Sequence, residues 1–298
     1  MASVRARLAN FAVRRLIRRD QLSRKQAAPH FRKALSRPLL PTLGLRGITI
    51  DQCERQGVRC HQLSVNRPER TLLYIHGGGF VAGRPDTYHN FCGRLAKRLN
   101  ANACLPQYRL APEHPYPAGL EDCLSTYRSL LEDGVDPQRM IVAGDSAGGS
   151  LTLALLLALR DAGEPLPGCA LAISPATDAT LSSASHRENA QRDAMLSPTM
   201  IEHSAALYLQ GEDPRTPGAS PLWGDYDGLP PLLLTTSESE CLRDDCYRVA
   251  EKAREAGVEV ELISRRDMPH VWPIFVPLLP EANRDLKRMA AFIRRHCP

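Results

Sequence analysis

Short apolar runs lie near 47–52, 58–65, 71–76, 103–108, 140–144, 169–174, 232–236 and 258–264. Each has the length and bounding turn residues of a strand. Stretches with apolar positions every three or four residues lie between the later runs, at 88–99, 119–131, 148–161, 244–256 and 281–296. These read as helices. No helix separates the first two runs, which predicts an antiparallel edge. The rest alternate strand with helix, which predicts a parallel sheet covered on both faces. The fold class is α/β, with an eight-stranded, mostly parallel sheet flanked by helices. The alternation stops between Asp178 and Pro230. That insertion, about 179–229, contains a helical piece at 198–210. It is predicted to pack with the N-terminal arm as a helical lid over the strand ends.

The arm has its own pattern. Val4, Leu8, Phe11, Ala12 and Leu16 recur at helical spacing. Residues 1–40 hold nine Arg and two Lys against one acid, Asp20, a net +10 within a chain of +5, so the remainder carries −5. A nucleic-acid binder spreads its basic face over the fold, so no nucleic-acid partner is expected. Three readings of the arm compete. The preferred one is a lid helix packed on the body by its apolar stripe. A membrane-surface or acidic-partner contact and an Arg-rich targeting peptide are the others. Pro29 and the 38–41 stretch set the arm off from the body, giving a basic helical lid segment over 1–40 and a main domain over 41–298.

The 298 residues, 43% of them hydrophobic, suffice for one large core with a lid. No eighteen-residue apolar stretch exists, so no stable membrane insertion is predicted. The nine cysteines are scattered, odd in number and without a C-x-x-C pair. They read as reduced thiols of a cytoplasmic protein. No Cys/His cluster suggests a metal.

The chemistry concentrates at the ends of predicted strands. Gly144-Asp145-Ser146-Ala147-Gly148 joins the run at 140–144 to a helix. A G-x-S-x-G turn in that setting holds a serine hydroxyl exposed at a helix N-terminus. Serine is a weak nucleophile without a base and a group to orient that base. After the last strand stands His270, the candidate base. After the strand at 232–236 stand Glu238, Glu240, Asp244 and Asp245, and Glu240 is the preferred acid. An oxyanion formed on attack needs fixed N–H donors. Ala147 supplies one. His76-Gly77-Gly78-Gly79 follows another strand, and Gly77 and Gly78 are the preferred partners, with Gly79 shaping the turn. His76 reads as a brace for that loop.

A rival reading takes Gly77-x-Gly79-x-x-x-Gly83 as a relaxed dinucleotide fingerprint with Arg109 near a 2′-phosphate. It leaves Ser146 and His270 unexplained, and its helix starts too late.

With these residues in view, the chain resembles the hormone-sensitive-lipase-like serine carboxylesterases of the α/β-hydrolase superfamily. HGGGF at 76–80, YRLAPEHPYPA at 108–118, GDSAGG at 144–149, RENAQRDAMLSP at 187–198 and DPRTPGASPL at 213–222 carry the likeness. The resemblance implies the α/β-hydrolase fold, with Ser146 as nucleophile, His270 as base and Gly77, Gly78 and Ala147 as oxyanion donors. It implies hydrolysis of short- to medium-chain esters through an acyl-enzyme, without a cofactor, with a small-molecule ester as the partner. It also implies that Arg109 and Glu113 brace a loop. Homodimers through an edge strand occur in such proteins, and the run at 258–264 is the candidate edge.

Two positions depart from the family pattern. Glu240 stands where the family usually has Asp, which leaves Asp244 as an alternative. Trp272 follows His270 where the family often has His-Gly-Phe, and it either lines the pocket or packs. Phe11, Leu16, Met200 and Leu207 are lid residues for which core packing is the preferred role and setting acyl size the alternative. A receptor on the same scaffold would have lost the base, which is present here. Amide or lactam hydrolysis would use the same residues.

Overall fold

The computed structural model describes residues 2–35 and 44–298. The arm–body boundary expected at residue 40, with the 38–41 stretch, lies outside the described residues, whereas Pro29, the other expected break, sits inside the helix Arg24–Ala34. Two helices come first, α1 (Val4–Leu16) and α2 (Arg24–Ala34). The body then runs β1 (Thr49–Arg55), β2 (Val58–Ser64), β3 (Arg70–Ile75), α3 (His89–Leu99), β4 (Ala101–Pro106) and α4 (Ala118–Glu132). It continues with β5 (Met140–Asp145), α5 (Ala147–Asp161), β6 (Cys169–Ile173), α6 (Ser185–Glu188) and α7 (Pro198–Leu209). Last come β7 (Leu232–Ser237), α8 (Arg243–Glu255), β8 (Val260–Arg265) and α9 (Pro280–His296).

The eight strands form one sheet in the order β1-β2-β4-β3-β5-β6-β7-β8. β1 and β2 are an antiparallel hairpin with Arg55 opposite Val58. Its two turn residues, Gln56 and Gly57, both have positive φ (46° and 83°), as a type I′ turn requires. β2 also pairs antiparallel with β4, and every later pairing is parallel. The antiparallel edge and the parallel body both match expectation.

β5, β6 and β7 are buried at every position. Helices cover both faces, so these strands read as continuous apolar runs rather than alternations. α5 is buried along almost its whole length, whereas α9 keeps a polar outer face. Because β3, β5, β7 and β8 run parallel, the loops that leave their C-terminal ends gather along one edge of the sheet. In open α/β sheets that edge is where ligands bind.

The arm and the insertion meet above this edge. α2 packs on α7. Ser197 Oγ donates to Arg19 O at 2.6 Å, and His203 Nε2 lies 2.7 Å from Leu22 O. Arg18 is buried and donates to the carbonyls of Asp193, Leu196 and Ala190. Arg32 of α2 reaches down to Glu113, at 2.5 Å, and to Val81 O at 2.9 Å.

The rotation of α1 differs from expectation. Its inward face is Ala6 and Val13, followed by Ile17. The apolar stripe that was expected to pack on the body points outward instead, with Val4, Leu8, Phe11 and Leu16 58–70% exposed. Small side chains let the helix approach the body closely, and the inward reach of Arg18 fixes its rotation.

Candidate active site

Ser146 sits between β5 and α5 with φ 53° and ψ −121°. A non-glycine residue rarely adopts that conformation, and the surroundings must hold it there. The flanking glycines explain how they do. A Cβ on Gly148 would lie 2.0 Å from Ile75 O, and one on Gly144 would lie 2.2 Å from Gly148 O. Only bare backbone permits the turn to press against β3. The Ser146 amide donates to Ile173 O of β6 at 2.8 Å, tying the turn to the neighbouring strand as well.

The loop after β8 brings His270 to this turn. Its Nε2 lies 2.9 Å from Ser146 Oγ, and its Nδ1 lies 2.6 Å from Glu240 Oε2. The other oxygen of Glu240 accepts from Thr236 Oγ1 at 2.6 Å and from the Ser237 amide at 2.8 Å. Glu240 and His270 are both almost fully buried. Burial alone would disfavour a charged imidazole. The Glu240 contact, with the nearby Asp193 and Asp145, outweighs it and raises the pKa of His270 above its ordinary value. Glu240 stands on a tight turn at 237–240, where its amide returns to Ser237 O.

The competing acids lie elsewhere. Asp244 accepts from the Ser185 amide and pairs with Arg243. Asp245 accepts from the amides of Thr177 and Asp178 and from Ser183 Oγ. Glu238 holds Tyr247 and Ser264. Of these four acids, Glu240 alone reaches the imidazole.

The loop after β3 corrects one expected donor. The Gly77 amide donates to Asp145 Oδ1 at 2.9 Å and lies 3.1 Å from Tyr88 Oη. It is occupied within the protein and is not free for a substrate oxygen. Gly78 and Gly79 border the pocket beside Ser146 and His270. Both have positive φ, 128° and 63°. A Cβ on Gly78 would strike Ala82 O at 2.1 Å. The Ala147 amide opens α5, where a helix leaves its first N–H groups without intrahelical partners.

Asp145 went unassigned from sequence. It is buried and accepts from Tyr74 Oη at 2.9 Å and Tyr88 Oη at 3.1 Å as well as from Gly77. Burial raises its pKa to about 6 against these three stabilising contacts. Through Asp145 the serine turn holds the glycine loop. His76 braces the same loop, as expected. Its Nδ1 is 2.9 Å from Gly77 O, it stacks on Tyr108 at 4.3 Å, and burial lowers its pKa to about 4, so it stays neutral.

Asp193 and Asn189 also escaped the sequence reading. The Asn189 amide donates to Glu238 O and Glu240 O, and Asp193 Oδ2 accepts from the Cys241 amide at 2.8 Å. Both clamp the insertion onto the loop that carries Glu240. Arg109 is engaged by Asp122 and Glu121, which fits a brace. Gly83 closes the loop of 76–83 against Gly77 O and His76, which accounts for that glycine without a dinucleotide.

The pocket above Ser146 is lined mainly by apolar side chains, among them Ile17, Phe31, Phe80, Met200, Tyr208 and Ile274. Of the acyl-size candidates, Met200 lines it. Phe11, Leu16 and Leu207 do not, because α1 turns the first two outward and Leu207 is off the lining face of α7. Trp272 packs in the interior, with its indole N–H on Asp285 Oδ2 at 2.9 Å. No group of three or more potential metal ligands occurs among the described residues.

A mostly parallel eight-stranded sheet with a serine on a strained strand–helix turn, backed by an imidazole and a carboxylate, defines the α/β-hydrolase architecture. Residues 72–274 match a family model described as the alpha/beta hydrolase fold. An acetyl-hydrolase of Streptomyces hygroscopicus is 40% identical over 247 residues, covering 83% of this chain and 81% of its own. An esterase of Acinetobacter venetianus is 36% identical over 257 residues, covering 86% and 83%. A solved esterase described as from the bacterial hormone-sensitive lipase family superposes over 100% of both chains, with TM-score 0.91 and 35% identity. The chain belongs to the α/β-hydrolase family, among its hormone-sensitive-lipase-like esterases.

Proposed function

We propose that this protein hydrolyses carboxylic esters with short to medium acyl chains through an acyl-enzyme on Ser146. The observation that carries the reading is the unbroken relay from Ser146 Oγ through His270 to Glu240, set at the floor of an apolar pocket. The relatives named as esterases and acetyl-hydrolase support the reaction class. The protein is a carboxylic ester hydrolase.

The chemistry follows from the geometry. His270 Nε2 takes the hydroxyl proton as Ser146 Oγ bonds to the ester carbonyl carbon. The carbonyl oxygen becomes an oxyanion against the amides of Gly78, Gly79 and Ala147. Glu240 holds the Nδ1–H tautomer and stabilises the imidazolium. The tetrahedral species collapses, the C–O bond to the alcohol breaks, and His270 returns the proton to the leaving alkoxide. Water then repeats the sequence on the acyl-serine, releasing the acid and restoring the hydroxyl. This residue set needs no cofactor.

The arm of 2–35 and the insertion of 179–229 act together as the lid. Their mutual packing and their shared lining of the pocket support that role. β8 ends the sheet with one partner strand, so its outer edge is the place for pairing with a second copy. No helix among the described residues is long and apolar enough to cross a membrane, and all nine cysteines are free thiols. The thiols support a reducing compartment such as the cytoplasm.

The test is a rate profile on p-nitrophenyl esters of increasing acyl length. The lid-bounded pocket predicts a fall in kcat/KM beyond about eight carbons. A maximum at the longest chains would contradict it.

A further inference from the structure

The outward face of α1 has no role in the site just described. Val4, Leu8 and Phe11 follow one another at spacings of four and three residues, and Leu16 flanks them. They are 70%, 63%, 58% and 66% exposed, which makes α1 the main concentration of exposed large apolar side chains among the described residues. Leu278, also exposed, lies near the start of the helix: its carbonyl accepts from Arg5 Nη1 at 3.3 Å. A contiguous apolar patch of this kind marks a contact site rather than ordinary surface.

Charge narrows the choice of partner. No acid precedes Asp20, while Arg5, Arg7, Arg14, Arg15, Arg18 and Arg19 all lie in or beside α1. Arg18 is buried and pairs with Asp20. The other five form no ion pair among the described residues; Arg5, Arg14 and Arg19 donate to main-chain carbonyls, whereas Arg7 and Arg15 make no such bond. Arg15 lies over the Phe11 ring, its guanidinium carbon 4.6 Å from the centroid, so cation and apolar side chain share one stripe. A second copy laid on this face would set arginine rows against arginine rows. An anionic bilayer matches both properties at once. Its acyl boundary takes Val4, Leu8, Phe11 and Leu16, and its headgroup phosphates take the guanidinium groups.

We propose that α1 is an interfacial helix that docks this protein on an anionic phospholipid surface. The opposite face of the helix stays on the body through Ala6 and Val13, so docking requires no unfolding. Ile17, one residue past the helix, lines the pocket. Docking therefore holds the roof of the pocket against the lipid. The proposal concerns binding and does not depend on the chemistry assigned to Ser146.

Flotation of the full chain with vesicles tests it. One set is phosphatidylcholine alone, and the other contains about 30% phosphatidylglycerol in ~0.1 M salt. The protein is expected to float with the anionic set, to stay behind with the neutral set, and to be released by about 0.5 M salt. A Leu8→Asp/Phe11→Asp variant should lose about tenfold in bound fraction, and Arg7→Gln/Arg15→Gln several-fold. Both should keep wild-type rates on a soluble short ester, which separates a failure of docking from a failure of the hydrolase reading. Flotation with neither set, equal flotation with both, or undiminished binding by the Asp variant would overturn the proposal. So would a concentration-dependent dimer in the wild type that the Asp variant abolishes, because the face would then belong to a second copy.

Discussion

The floor and the roof of the pocket are built by different means. The floor consists of turns at the ends of β3, β5, β7 and β8, and in the β3 and β5 turns backbone atoms approach so closely that a Cβ added to Gly78, Gly144 or Gly148 collides. The roof consists of α2, α7 and the end of α1, joined by side-chain contacts such as Arg18, Ser197 and His203 onto carbonyls. A floor made from backbone fixes where charge develops and tolerates little change. A roof made from side chains fixes only shape, and it can be resized without disturbing the chemistry below.

Substitutions can break or sharpen that contrast. The largest expected effect is on the floor: Ser146→Ala should lower kcat by about 10⁶-fold while leaving the circular dichroism spectrum and Tm intact. Glu240→Gln should follow at about 10⁴-fold, because the amide disturbs the tautomer and no longer stabilises the imidazolium. It also carries a pH signature. Only neutral His270 accepts the serine proton, so kcat/KM should fall as pH drops through its pKa. In the wild type that midpoint lies above the ordinary 6.5 of histidine, since Glu240 overcomes burial. In Glu240→Gln the midpoint should move down, and a pH–rate profile that does not move would count against the pairing.

Gly78→Ala should cost about 10²–10³-fold in kcat, the scale of one misplaced oxyanion donor, with KM little changed. The smallest effect belongs to the roof. Met200→Ala should change the rate on a short ester by less than about tenfold while shifting the preferred acyl chain upward by one or two carbons. If Met200→Ala instead damaged turnover as severely as Gly78→Ala, the distinction between floor and roof would fail.

The same contrast explains what could be read in the sequence. All eight strands were legible: burial on both faces turns a strand such as β5 or β6 into an uninterrupted apolar run, whereas the exposed edge strand β1 was marked by its place before β2 with no helix between them. Ser146, His270 and Glu240 were legible because each follows a strand in the order this chemistry requires. The oxyanion loop was legible as a loop but not amide by amide. Spacing shows three glycines after β3. It cannot show that Asp145, sixty-eight positions beyond Gly77, takes the Gly77 amide and leaves Gly78 and Gly79 facing the pocket. The roof was least legible. Periodicity placed a helix over Val4–Leu16 but oriented it by its large residues. The fold instead buries Ala6 and Val13 and lets Arg18 set the rotation. Asn189 and Asp193 lie in the 187–198 segment that carries part of the family likeness, but its residues announce no role, because their partners are backbone groups of the Glu240 loop.

Ser146 becomes covalently acylated during turnover in the proposed reaction. The direct test is rapid quenching of the enzyme with a slowly deacylating p-nitrophenyl ester, followed by peptide mass spectrometry. An acyl mass on the peptide containing Ser146, lost in His270→Ala, is the predicted result. Turnover with an unmodified Ser146 peptide, or an acyl group on another residue, would contradict it.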